Sequence, residues 1–316
     1  MLIAIIGATS QIAKDLVRTF AAQSTHELVL FARRPELVEQ WLASVSLPAR
    51  YPVHNFQVFS SNEHFNAILN FVGIGNPTQA LAMGAAIFDV TLQYDELALG
   101  YVRNHPNCRY IFLSSGAAYG PSFFAPADAN SKAVISINEL QPQDWYGVAK
   151  LHAECRHRSL APLPIVDIRM FNYFSHTQDM EARFLITDIV RAIRDKTVLK
   201  TAKDYVVRDF IGPDDFHQLV NAILTSPATN AVVDCYSQAP IDKPCLLAAM
   251  QTKFGLQYEL TENFTGINAT GSKLHYYSIN KQAEYFGYIP KLTSLACIEK
   301  ELKLITQDAP KYIIQQ

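Results

Sequence analysis

The sequence predicts an α/β protein, a doubly wound parallel sheet followed by a smaller C-terminal lobe. Three observations carry this. Short apolar runs alternate with stretches of helical periodicity through the first half of the chain, the pattern of βαβ units. The runs are almost continuously apolar, as in strands covered on both faces. The first run, Met1 to Ile6, ends at Gly7 and leads through a four-residue turn directly into a helix.

Taken in order, Met1–Ile6 reads as a buried strand and Gly7-Ala8-Thr9-Ser10 as a turn. Ile12, Ala13, Leu16, Val17 and Phe20 recur at helical spacing, giving a helix to about Ala22. Glu27–Ala32 is a second strand, and Pro35 opens a helix running through about Val45. Asn55–Phe59 is expected as a third strand and Ala67–Val72 as a fourth. Pro77–Asn104 is expected as one long helical stretch, Arg109–Ser114 as a fifth strand, Asp144–Ser159 as a helix and Pro164–Met170 as a sixth strand. Beyond, Ala182–Asp195, Asp214–Leu224, Lys243–Phe254 and Leu295–Ile305 read as helices and Ala231–Tyr236 as a strand. No repeat or Gly/Ser linker divides the chain. The expected division is a nucleotide-binding unit over 1–171, completed by about 205–237, with 172–204 and 238–316 forming the lobe.

Composition narrows the function. The 316 residues are 49% hydrophobic and 18% charged, as in globular proteins. A net charge of −2 supplies no basic field for nucleic acid or anionic membrane. The five cysteines, Cys108, Cys155, Cys235, Cys245 and Cys297, are scattered without a C-x-x-C, so neither a disulfide framework nor a metal site is expected. The short apolar N-terminus lacks a basic leader, and a cytoplasmic location is expected.

A strand–turn–helix corner aims backbone N–H groups and a helix N-terminus at an anion. In Gly7-Ala8-Thr9-Ser10-Gln11-Ile12-Ala13 only the first small position is glycine; Ser10 and Ala13 take the others. This suits a dinucleotide turn or an ordinary corner. At the end of the second strand, where a carboxylate would bind a ribose 2′-OH, stand Arg33 and Arg34. Two guanidiniums suit a 2′-phosphate, which points to NADP(H); a solvated surface pair is the alternative.

Tyr146 and Lys150 lie one helical turn apart and share a face. A free phenol, with a pKa of about 10, is a poor acid at neutral pH, and a nearby cation would lower that value. The pair therefore suits acid–base work, although the spacing alone also fits a packing tyrosine and a solvated lysine.

With these pieces the chain resembles the extended short-chain dehydrogenase/reductase family, in its nucleotide-sugar branch, over nearly its whole length. Ser114-Ser115-Gly116-Ala117-Ala118-Tyr119-Gly120 resembles that family's Ser-Ser-x-x-x-Tyr-Gly. Arg169-Met170-Phe171-Asn172 resembles its Arg-x-x-Asn, and Arg208-Asp209-Phe210-Ile211 through Asp215 its Arg-Asp-Phe/Tyr-Ile segment. Ile279-Asn280-Lys281 and Phe286-Gly287-Tyr288-Ile289-Pro290 resemble its C-terminal close.

The resemblance implies a Rossmann fold and hydride transfer at a sugar carbonyl or alcohol. Ser115, Tyr146 and Lys150 would be catalytic; Gly7, Thr9, Ser10, Gln11, Ile12, Arg33, Arg34 and Lys150 would bind cofactor; Gly116, Asn172 and Arg208 would bind a nucleotide sugar. For Arg208 the alternative is an ion pair with Asp209 or Asp214. Dehydratases of the family carry Asp-Glu after the catalytic hydroxyl; Gly116 and Ala117 argue against elimination here. No sequence feature fixes His176 or His217 in a site. The strand before Ser60 also lacks the aspartate that often meets adenine, a place Ser61 or Asn62 could take. The expected reaction is NADPH-dependent reduction of a nucleotide-linked 4-keto-6-deoxy sugar. The alternatives are 4-epimerisation with bound NAD, reduction of a non-nucleotide ketone, or a non-catalytic NADP-binding regulator. A homodimer including the Tyr146 helix is implied.

Overall fold

The computed structural model describes residues 1–47, 50–59, 64–73, 77–262 and 273–307. Ser61 and Asn62 lie outside the described residues. In chain order the first half runs β1 (Leu2–Ile6), α1 (Gln11–Gln23), β2 (Glu27–Phe31), α2 (Pro35–Ser44), β3 (Val53–His54), β4 (Ala67–Asn70), α3 (Pro77–Met83), α4 (Ala86–Asn104), β5 (Arg109–Ser115), α5 (Trp145–Ser159) and β6 (Ile165–Met170). There follow β7 (Asn172–Tyr173), α6 (Leu185–Asp195), β8 (Val198–Ala202), β9 (Val207–Arg208), β10 (Phe210–Ile211), α7 (Pro213–Thr225) and β11 (Ala231–Asp234). The chain closes with β12 (Ile241–Asp242), α8 (Lys243–Phe254), β13 (Gln257–Thr261), β14 (His275–Tyr276) and α9 (Ser294–Gln307).

Seven strands form one sheet in the order β11-β6-β5-β4-β1-β2-β3, every pairing parallel. The order reverses between β1 and β4, so the crevice for a ligand opens beyond their carboxyl ends. Alternation along each strand splits the core into two layers. Ile3, Ile5, Leu28 and Leu30 pack with Leu16, Val17 and Phe20 of α1 and Phe216 and Leu219 of α7. Ala4, Ile6, Val29 and Ile68 pack with Tyr94, Ala98 and Val102 of α4 and Ala153 of α5. A third core joins α6, α8 and α9 through Ile189, Val190, Leu247, Met250 and Ile298.

Two expected elements differ. The third strand is Val53–His54; Phe56–Val58 is a 3-10 turn capped by the Asn55 side chain. Phe56 packs against Tyr94 and Phe59 against Phe31, with ring centroids 4.6 and 4.9 Å apart, so their apolarity serves contacts at the sheet's flank. The long helix breaks into α3 and α4 at Gly84, whose φ of +57° departs from helical values. Among the described residues no helix is long and apolar enough to cross a membrane, and no cluster of three or more His, Cys, Asp or Glu could hold a metal ion.

α5 is fixed by buried charge. His157 lies between two carboxylates, Nε2 2.7 Å from Asp95 Oδ1 of α4 and Nδ1 2.6 Å from Asp167 Oδ1 of β6. Tyr110 donates to Asp95 at 2.9 Å, while Arg156 and Arg158 pair with Asp95 and Asp167 at 2.8 and 3.0 Å. Burial opposes charge on the ring, but hydrogen bonds and charge from Asp167 and Asp95 win, raising its pKa to about 9. The folded chain thus binds this proton more tightly than the unfolded chain, whose ring titrates near 6.5. The stabilisation is complete below that pH and is lost as pH rises through about 9. Urea unfolding should therefore show stability falling between those limits in the parent. His157→Gln should be about 3–5 kcal/mol less stable at pH 6, because two buried carboxylates lose the cation between them and keep only Arg156 and Arg158 on their outer oxygens, and should lack that decline. An equal decline in the variant would contradict the assignment.

Candidate active site

β5 delivers Ser115 to the carboxyl edge of the sheet, opposite Met170 of β6. The chain then turns through a 3-10 segment, Gly116–Tyr119, and the Ser115 oxygen accepts the Ala117 N–H at 3.2 Å. α5 lands on this turn. A Cβ added at Gly147 would stand 2.6 Å from the Ala117 carbonyl oxygen, so glycine alone permits the approach. Gly120, at φ +103°, turns the chain away where a Cβ would be 2.3 Å from the Val134 carbonyl oxygen.

That landing brings together Ser115, Tyr146 and Lys150. Burial raises the phenol pKa of Tyr146, partly opposed by a hydrogen bond from Ser115. This corrects the expectation that Lys150 lowers it. The Lys150 ammonium donates to the Leu113 carbonyl at 2.8 Å and sits 4.3 Å from the Phe112 ring centroid, against 5.9 Å from that of Tyr146. Burial brings the ammonium down to about 8, with Asp95, Glu154 and Asp167 pulling upward. It keeps its charge at neutral pH, and the phenol keeps its proton.

Behind them Arg169 ties three elements together. Its guanidinium forks onto Glu154 of α5, with Nη2–Oε2 at 2.6 Å, reaches Asp234 of β11 at 3.5 Å and lies 4.3 Å from the Tyr119 ring centroid. Ser114 donates to Glu154 at 2.5 Å, and Tyr119 to Asp234 at 2.9 Å. The Arg-x-x-Asn arginine thus positions α5.

On the cofactor side, Gly7 has φ +81° and a Cβ there would stand 2.9 Å from the Val72 nitrogen. The Gly7 and Ala8 amides bond to the Phe31 carbonyl, at 3.0 and 3.1 Å, joining the turn to the end of β2. Ser10 caps α1 without a side-chain hydrogen bond, which leaves first-turn amides to an outside acceptor. Thr9 is exposed and Ile12 half-buried. Gln11 instead donates to Ser175 at 2.8 Å, beside buried Asp15. Arg33 and Arg34 are exposed just past β2, and their guanidiniums have no hydrogen-bond or ion-pair partner among the described residues. These residues fit a dinucleotide: an uncapped helix start, a close backbone approach and two cations on one edge. Gly73, which sequence reasoning missed, abuts Lys150; a Cβ there would be 3.2 Å from the ammonium nitrogen.

On the opposite side, Gly116 faces the Phe171 ring, 2.4 Å from where its Cβ would stand. Asn172 donates to the Asp209 and Tyr276 carbonyls at 3.2 and 3.5 Å. Arg208 is buried, its pKa brought to about 10 by burial, and it donates to the Val207 and Lys273 carbonyls at 2.9 and 2.8 Å. Its expected alternative partners are engaged elsewhere: Asp209 accepts from Ser237 and Ser294, and Asp214 pairs with Lys300. His176 pairs with Glu301 and Arg18, and His217 packs edge-on against Phe20, so neither joins the hydroxyls. Tyr276, also missed, does: its oxygen lies 3.3 Å from that of Ser115. No sequence motif marks it.

The model of the NAD dependent epimerase/dehydratase family matches residues 3–236. The chain belongs to this family. It is an enzyme family of the extended short-chain dehydrogenase/reductase type. Its fold recurs in solved structures of low identity. UDP-glucose 4-epimerase from Thermotoga maritima, with UDP-glucose, is 14% identical with a TM-score of 0.79, over 98% of this chain and 100% of that one. UDP-glucuronic acid 4-epimerase from Bacillus cereus, with UDP-glucuronic acid and NAD, is 15% identical with a TM-score of 0.75, over 97% and 99%. dTDP-glucose 4,6-dehydratase from Bacillus anthracis, with NAD, is 15% identical with a TM-score of 0.77, over 98% of each chain. No curated relative matches the chain by sequence.

Gly147→Ala tests the landing of α5. The added methyl must push helix and turn apart, at a cost of about 1–3 kcal/mol. We expect a lower melting temperature and activity reduced more than dinucleotide affinity, since Tyr146 and Ser115 move relative to each other. Unchanged stability and turnover would contradict the contact's role.

Proposed function

We propose that this protein reduces a nucleotide-linked 4-keto-6-deoxy sugar with NADPH. The observation that carries the reading is the placement of the Tyr146 phenol beside the Ser115 hydroxyl, where burial raises the phenol's pKa. A carbonyl oxygen seated between them would accept a hydrogen bond from Ser115 and a proton from Tyr146 as the carbonyl carbon is reduced. The cofactor would supply the hydride. Lys150, charged at neutral pH, would hold the nicotinamide ribose and stabilise the phenolate left after proton transfer. In this direction a raised phenol pKa is an asset, because the resting group must still carry the proton it gives.

Arg33 and Arg34 would bind the 2′-phosphate of NADPH, and the turn from Gly7 through Ile12 the pyrophosphate. Asn172 and Arg208 would meet the nucleotide sugar, Arg208 through its planar fork on the diphosphate. Elimination is disfavoured because Gly116 and Ala117 offer no acid or base, and Phe171 leaves no room for a side chain at 116. In this reading 1–171 with about 205–237 binds cofactor, 172–204 and 238–316 bind substrate, and the protein works as a homodimer. A second reading, 4-epimerisation with retained NAD, is favoured by structural neighbours that are named 4-epimerases and contain NAD. The same hydroxyl pair would serve it, beginning in the oxidative direction.

The test is to mix the protein with NADPH or NADH and UDP-, dTDP- and GDP-linked 4-keto-6-deoxy sugars, following loss of reduced-nicotinamide absorbance. We expect stoichiometric oxidation of NADPH with one sugar and a preference over NADH of about tenfold or more. Tyr146→Phe should be slower by about 10²–10⁴. NAD that copurifies, with inversion at C4 and no net consumption, would favour the epimerase; a fully active Tyr146→Phe would overturn both readings.

A further inference from the structure

The Ser115 hydroxyl proposed for the reacting oxygen already has a partner. Tyr276 of β14 places its oxygen 3.3 Å from that of Ser115. A substrate carbonyl would have to meet that same hydroxyl. The Tyr276 ring is 5% exposed and packs edge-on against Phe123 and Phe171, with centroids 4.9 and 5.2 Å apart. It fills the space beside Ser115.

The backbone that carries this ring is held by the residue expected to bind diphosphate. Tyr276 and Arg208 are register partners across β14 and β9. Arg208 Nη1 donates to the Lys273 and Leu274 carbonyls, at 2.8 and 3.4 Å, just ahead of β14. The Lys273 ammonium lies 4.5 Å from the Tyr276 ring centroid, on the same buried aromatic group. Arg208 and Tyr276 are thus joined through one short piece of chain. An anion that re-aims the guanidinium loosens the backbone from which the phenol projects. Burial brings the Arg208 pKa down to about 10, so a paired anion would restore what burial removes.

We propose that Tyr276 is a substrate-displaced plug. Its phenol holds the reacting oxygen's place at Ser115 until a nucleoside-diphosphate-linked carbonyl compound draws the Arg208 guanidinium from the Lys273 and Leu274 carbonyls and its own oxygen takes over the Ser115 hydroxyl. This rests on the proposed nucleotide-sugar reading and extends it to specificity. A small ketone without a diphosphate must break the Tyr276–Ser115 bond unaided. A nucleoside diphosphate without a carbonyl engages Arg208 but leaves the phenol in place. Only a compound with both opens the site, and no reactive pair of hydroxyls faces water beforehand.

Tyr276→Phe keeps the ring and its packing and removes only the hydroxyl. Calorimetric titrations in the presence of NADP+ would use UDP, dTDP and GDP and their 4-keto-6-deoxy sugars. We expect the variant to bind the nucleotide sugar about two- to tenfold tighter, the worth of one neutral hydrogen bond, with nucleoside diphosphate affinity little changed. Tyr276→Met, also lacking the hydroxyl, should tighten binding likewise, and unchanged NADP+ affinity in both variants reports an intact fold. Weaker nucleotide-sugar binding in Tyr276→Phe would overturn the plug and make Tyr276 a substrate ligand. A kcat reduced by orders of magnitude would overturn it in favour of a catalytic role, and unchanged affinity would overturn it outright. If the parent binds NADP+ but none of the nucleotide sugars, the nucleotide-sugar reading itself fails, and the plug with it.

Discussion

The constraint on which the site depends is the close approach of α5 to the turn after β5, at Gly147 against the Ala117 carbonyl. A wider spacing would separate the Tyr146 phenol from the Ser115 hydroxyl, because the two come from different elements and meet only across this gap. The same approach sets Lys150. One turn further along α5, its ammonium reaches back to the Leu113 carbonyl of β5, two residues before Ser115. A single missing side chain therefore positions both members of the Tyr/Lys pair relative to the strand.

Such an approach needs a helix that cannot slide, and buried charge supplies the anchor. Lys150, Glu154 and His157 are all buried on α5, at spacings that put them on one face. Each has its own partner behind the site: the Leu113 carbonyl, the Arg169 fork, and the two carboxylates Asp95 and Asp167. Burying such groups costs more than burying apolar side chains unless every member is satisfied. What they supply is register. Apolar side chains tolerate small shifts along a groove, whereas a guanidinium fork on a carboxylate does not. The Arg169 network extends that register to β11 through Asp234 and to the turn through Tyr119.

The sheet was largely legible in the sequence because β1, β2, β4 and β5 have apolar centres, β6 keeps Ile165, Val166, Ile168 and Met170 around Asp167 and Arg169, and α8 begins and ends where Lys243 and Phe254 suggested. The motifs also brought Ser115, Tyr146 and Lys150 to one place. What escaped did so for identifiable reasons. Asn55–Phe59 imitates a strand because Phe56 and Phe59 are apolar for flank packing. β7, β9, β10, β12 and β14 are two residues each, too short for a period to register. The inward face of α5 carries ionisable side chains, so hydrophobic periodicity says little about its orientation. Arg169 was visible as a motif, but its partners Glu154 and Asp234 lie far apart in sequence, and only the fold gives it a structural role. Tyr276 sits among aromatic neighbours without a motif, and its place at Ser115 follows from the pairing of β14 with β9. The phenol's pKa direction was misjudged because burial outweighs a cation that faces Phe112.

The most direct test of the account is a crystal structure with NADP+ and the product nucleotide sugar bound. It should show the Tyr146 and Ser115 oxygens both within hydrogen-bond reach of the sugar's reduced oxygen, the nicotinamide C4 facing the carbon that bears it, and Lys150 on the nicotinamide ribose. A nicotinamide turned away from the two hydroxyls, or a sugar bound with neither oxygen in contact, would contradict it.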